Sequence, residues 1–249
     1  MQDTREEYDT AMARHVLLNS NQHRDLRIIT TRSAALGDDV MSAVTFPTEF
    51  RHLQAHYPIF FQKHPQTGEF QPFAMFGFRQ GENLFLGEDG WDATYLPLTV
   101  ERQPFLIGRQ QAGGDRNMVI HIDMDSPRIS ATEGEPVFLG HGGPSDYLAR
   151  INSILGAIHQ GMESNRPFVE SLLANELLES FTLDIELEGG TEFRMAGYYT
   201  IHEEKLDALG GDALAALNGD GWLKAVYMAV ASLSNIRNLI ERKNARAKL

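Results

Sequence analysis

Carboxylates and histidines at ligand-like spacing are the residues of this chain best suited to chemistry. In the stretch GENLFLGEDGWDATYLP, residues 81–97, Glu82, Glu88, Asp89 and Asp92 offer oxygen donors. A hard cation such as Ca²⁺ takes about six to eight of these, but the alternating acid spacing of an EF-hand loop is missing. Asp89-Gly90 is instead a turn pair, because glycine reaches positive φ without strain. Trp91 follows directly, and Leu84, Phe85, Tyr95 and Leu96 flank it as an apolar bed. The expectation is a tight corner between strands with the tryptophan folded inward. Should the corner face a ligand or partner, Trp91, Asp89, Asp92 and Tyr95 are the residues to meet it.

The second constellation is HIDMD. On a strand, His121 and Asp123 stand at i and i+2 and share one face. With His141 they make up the two-histidine, one-carboxylate set that holds non-haem Fe(II), and an oxygenase of the 2-oxoglutarate type is the alternative function this implies. Against it, only 18 residues separate Asp123 from His141, which sits among glycines, and the strands between are few for a barrel. A solvated strand end is expected instead. The serines of GGPSDY and ASLSN lack the G-x-S-x-G elbow of a hydrolase. The turns AGGD and GGDAL are not followed by a phosphate loop's helix and lysine. Asp184 and Glu186 fall on the polar side of a hairpin. No catalytic residue and no resident cofactor is therefore expected, with Fe(II) the alternative.

A formal charge of −12 argues against a nucleic-acid partner, which needs a basic face to displace phosphate counterions. The absence of cysteine removes disulfides, thiolate metal sites and cysteine nucleophiles. The first residues lack a secretory h-region, and no run reaches the roughly 18 apolar residues that span a bilayer. A cytoplasmic protein is expected. The tail IRNLIERKNARAKL stands out, carrying Arg237, Arg242, Lys243, Arg246 and Lys248 against Glu241. Its charges are expected to complement a helix C-terminus, with an acidic partner or membrane surface as the alternative.

The elements that position these residues read as α+β. Residues 1–22 are expected to form an arm, 23–140 a mainly β region, and 141–249 a helical region that contains a hairpin over 181–201 and makes one compact unit with 23–140. Leu26–Thr31, Tyr57–Lys63, Phe70–Phe78, Asn83–Leu86, Phe105–Arg109 and Met118–Met124 read as short strands joined by turns. Such connections are too short for parallel pairing, so an antiparallel meander is expected in the N-terminal half. In the C-terminal half, Tyr147, Ile151, Ile154, Leu155 and Ile158 recur at helical spacing. A separate helix is expected over Pro167–Leu178. Phe181, Leu183, Ile185 and Leu187 alternate with polar residues, Gly189-Gly190 turns the chain, and Phe193 to Ile201 returns. A closing helix is expected from Trp222 to Lys243.

The order of these pieces resembles the SapC family of bacterial proteins. The resemblance is carried by NQHRDLRI, YPIFFQK, GENLFLGEDGWDATYLP leading to RQPFLIG, then GYYTIHEEKLDALGGDAL and YMAVASLSNIRNL, across about residues 19–243. The chain departs from many members in having Ala229 where they carry a histidine. The family takes its name from a surface-layer locus, and some members are labelled peptide-transport permeases. Members also occur beside outer-membrane receptors and flavin-dependent halogenase-like enzymes. The resemblance thus implies an accessory or regulatory protein linked to nutrient uptake, binding a protein partner or small ligand without catalysis. An envelope or surface-layer protein is a further alternative.

Overall fold

The computed structural model describes residues 14–112, 115–187, 190 and 192–247. Residues 1–13 of the expected arm, Gly113-Gly114 and Gly189 of the two expected turns, and Lys248 of the tail lie outside them. The architecture is α+β, and among the described residues all strand pairings are antiparallel. The chain forms two compact units, Met1–Thr30 with Pro104–Asn152, and Thr31–Gln103 with Ser153–Leu249.

The first unit is built on the long hairpin Phe105–Ala112 and Asp115–Asp123, whose outer side takes the short strand His15–Leu17. Arg27–Ile28 pairs with both Ile129–Ser130 and Glu135–Pro136. Ile28, Phe105, Ile122 and Val137 are among its fully buried apolar side chains.

The second unit holds a five-stranded sheet ordered Leu178–Glu186, Glu192–Ile201, Ile59–Lys63, Phe70–Met75, Ser42–Val44. The two hairpins recognisable in the sequence thus join edge to edge, with Tyr199 opposite Phe61. Aromatic rings pack the interface of sheet and helices. Phe168 lies 5.9 Å from Phe50 and 5.5 Å from Trp222, ring centre to ring centre. A buried serine fastens the same layer, where Ser232 Oγ accepts the Ile59 N–H at 2.9 Å.

Three elements differ from expectation for identifiable reasons. The helix Asp146–Ala174 runs without interruption through Pro167, rather than restarting there. An interior proline forfeits one backbone bond and costs about 3 kcal/mol. Burial of Phe168, Val169 and Leu172 on the continuing helix face offsets that loss. The closing helix is instead two, Trp222–Ser232 and Asn235–Ala247. Ser232 and Ser234 donate to the carbonyls of Ala229 and Ala231 at the junction, and such side-chain bonds compete with the helix ladder. Asn83 and Leu84 are not a strand. The Asn83 side chain is buried, donating to the Asp38 carbonyl at 2.8 Å and accepting the Phe85 N–H at 3.0 Å.

Glycine substitutions within one helix test this packing. Gly156 has open space where a Cβ would be, whereas at Gly161 a Cβ would sit 2.1 Å from the buried Phe46 ring. Gly156→Ala is expected to stabilise by about 0.5–1 kcal/mol, as glycine is a poor helix former. Gly161→Ala is expected to destabilise by about 1–3 kcal/mol through overpacking. Chemical denaturation of the two variants checks the opposite signs.

Candidate functional site

Residues 81–97 do form a tight corner. Leu86–Gly87 pairs with Gly90–Trp91, and Gly90 adopts φ 101°, a conformation that a side chain would strain. Glu88 and Asp89 are exposed at the tip. Trp91 folds inward, with its ring 5.1 Å from Phe76 in an edge-on contact.

From there a chain of hydrogen bonds runs into the protein. Trp91 Nε1–H donates to the Tyr57 hydroxyl at 2.8 Å, and that hydroxyl donates to the Tyr95 carbonyl at 2.5 Å. The Tyr95 hydroxyl donates to Glu49 Oε1 at 3.0 Å, while its ring stacks on His52 at 5.0 Å. Glu49 is 2% exposed, and it also accepts from Thr45 Oγ1 at 2.6 Å and from the Leu98 N–H at 2.7 Å. Burial pushes the Glu49 carboxyl above the usual carboxylate range, and the three donors oppose the shift only in part. Burial likewise raises both tyrosine hydroxyls.

The outside of the corner is gripped by the helix Asn235–Ala247. Arg242 donates to Asp92 Oδ2 at 2.7 Å and to the Asp92 carbonyl at 3.1 Å, with its guanidinium 4.4 Å over the Phe85 ring. Lys243 pairs with Glu82, both nearly buried, and Arg246 donates to the Leu86 carbonyl. The basic tail is therefore docked on the acidic corner, which goes beyond complementing a helix end. Separation of about 150 residues in sequence hid this pairing.

Two clefts flank this helix. Asn238, Glu241 and Arg242, with His56, Asp92 and Thr94 opposite, line one of about 590 Å³. There the Thr94 hydroxyl and His56 Nε2 are hydrogen-bonded at 2.8 Å. Lys243 and Arg246, with Asp39, Arg79 and Glu82, line the other, of about 470 Å³. Among the four corner residues singled out from sequence, Asp92 lines the first cleft. Trp91 and Tyr95 do not line it but face the interior, and Asp89 stands apart at the tip. His56, Thr94 and Glu49 escaped notice because single polar residues beside aromatic runs carry no spacing signal.

The iron triad is not assembled. Among the described residues no three His, Asp or Glu side chains gather as a metal site. The His121 ring lies across Gly108, where a Cβ would be 2.4 Å from it, and the His141 ring lies over its own neighbour Gly143. Asp123 Oδ1 accepts the Asp125 N–H at 3.0 Å. Each of the three is held by a local contact rather than by convergence on a shared point. Among the same residues no helix is long and apolar enough to cross a membrane.

A family model described as SapC matches residues 18–239. No curated protein and no solved structure matches the chain.

Two expectations follow from the corner. Trp91→Ala is expected to cost about 3 kcal/mol, and Trp91→Phe about 1 kcal/mol for the lost N–H donor; an unchanged urea midpoint in the alanine variant sinks the inward plug. For Glu49, the folded-state pKa lies above the ordinary value of 4.5. The stability held by its neutral form is complete below that value and is lost as pH rises through the raised one. Glu49→Gln cannot ionise, and its amide retains an acceptor for Tyr95 and Leu98. The wild-type protein should therefore lose stability relative to the variant as pH rises from 4 upward; parallel pH profiles contradict this.

Proposed function

The chain belongs to the SapC family, and on that premise we propose that it is a non-catalytic accessory protein that binds a small polar ligand in the cleft beside the corner. One observation carries this reading: His56, Asp92, Thr94, Asn238, Glu241 and Arg242, drawn from three separate chain segments, line one cleft of about 590 Å³. That volume falls within the range of about 300–1,000 Å³ typical of small-molecule sites. The set offers both donors and acceptors, which suits a ligand bearing hydroxyl, amine or amide groups. Arg242 is oriented by Asp92 and Phe85, and the His56–Thr94 pair braces the opposite wall. Polar groups held in place beforehand bind with less loss of side-chain freedom. The protein acts in the cytoplasm, in the service of nutrient uptake across the outer membrane.

Ligand capture tests the site. The purified protein, incubated with the small-molecule fraction of a bacterial extract and washed by rapid gel filtration, is expected to retain a polar compound detectable by mass spectrometry. Thr94→Trp, which fills the cleft from an exposed position, should lose that compound and keep its melting temperature. Equal retention by both proteins defeats the proposal.

A further inference from the structure

The second cleft gathers positive charge on a protein of formal charge −12. Arg79, Lys243 and Arg246 line it, against the carboxylates of Asp39 and Glu82. Glu82 organises two of these cations. It is 7% exposed, and its Oε2 accepts the Phe78 N–H at 2.9 Å, fixing the carboxylate. Its Oε1 faces both Arg79 Nε at 3.4 Å and the Lys243 ammonium. One buried carboxylate therefore holds two cations side by side, and their combined charge exceeds its own. Arg246, oriented by the Leu86 carbonyl, adds a third cation from the next turn of the same helix as Lys243.

Two guanidinium groups and an ammonium lining one cleft match the oxygens of a tetrahedral dianion. Arginine presents its N–H groups as a rigid fork to phosphate, and lysine adds a point charge. A cleft with low-dielectric walls concentrates that field. Its volume of about 470 Å³ leaves room for an organic body beyond the phosphate, and Asp39 at the exposed rim can accept hydrogen bonds from hydroxyls on that body. We propose that the cleft bounded by Arg79, Lys243 and Arg246 binds a phosphate monoester. This site shares no lining residue with the cleft of the proposed function, so either stands without the other.

Binding is measured by isothermal titration of the full chain with inorganic phosphate and with glycerol 3-phosphate, glycerol being the control. A parallel arm sediments the protein with phosphatidylcholine vesicles, with and without phosphatidic acid. Arg79 and Arg246 are exposed, so Arg79→Gln and Arg246→Gln should fold, which their melting temperatures verify. Saturable binding of glycerol 3-phosphate, weakened about tenfold or more in the double variant and by added salt, supports the proposal as a soluble ester site. Binding only to the phosphatidic acid vesicles, lost in the same double variant, supports it with a lipid headgroup as the source. Absence of binding in both arms, or binding that the double variant leaves unchanged, overturns it. Thr94→Trp should leave these affinities as they are.

Discussion

A carboxylate at 2% exposure can be kept only if donors reach it, and Glu49 sets that demand at the centre of the larger unit. Its donors come from Thr45, Tyr95 and the backbone at Leu98. Tyr95 can serve only where its own carbonyl meets the Tyr57 hydroxyl, and Tyr57 is in turn the acceptor for Trp91. Satisfying one buried carboxyl thus ties together two stretches, 45–57 and 91–98, that are about forty residues apart in sequence. The aromatic rings around them supply the low dielectric that makes an unmade bond expensive. This chain of bonds ends on the corner, at Trp91.

The helix Asn235–Ala247 closes the same corner from outside, by a different kind of interaction. Glu82 and Lys243 are 7% and 12% exposed at the side chain, so their pairing replaces hydration that both have lost. Such a pair adds little over an apolar equivalent, yet removing one partner leaves a stranded charge and costs about 3–5 kcal/mol. The pair therefore specifies where the helix docks more than how tightly. Arg242 over the Phe85 ring, with Asp92 as its partner, repeats the instruction at the next position.

Local signals in the sequence were enough for the fold class and for the corner. Alternation from Phe181 to Leu187 marked a hairpin, the spacing of Ile151, Ile154 and Ile158 marked a helix face, and Asp89-Gly90 marked a turn. What local signals could not carry was pairing at long range. Nothing near Lys243 announces Glu82, and nothing in YPIFFQK announces that Phe61 lies opposite Tyr199. Pro167 misled for a related reason: its local cost was visible, while the burial of Phe168 that offsets it depends on Phe50, over a hundred residues away. The triad of His121, Asp123 and His141 failed similarly, since suitable types at suitable spacing do not make side chains converge.

These interactions also link the two clefts. The helix Asn235–Ala247 is a wall of both, through Asn238 and Glu241 on one side and Lys243 and Arg246 on the other. This helix meets the corner through the ion pairs of Arg242 and Lys243, with Leu239 buried in the core and Ile236 and Ile240 packed against it. A ligand that binds either cleft only when the helix is docked adds its binding free energy to the docked state. By the same linkage, two ligands that each required the docked helix would favour one another's binding. Coupling of this kind requires no movement of the sheet. It needs only one helix shared by both clefts, seated on a corner that Glu49, Tyr57 and Trp91 tie to the interior.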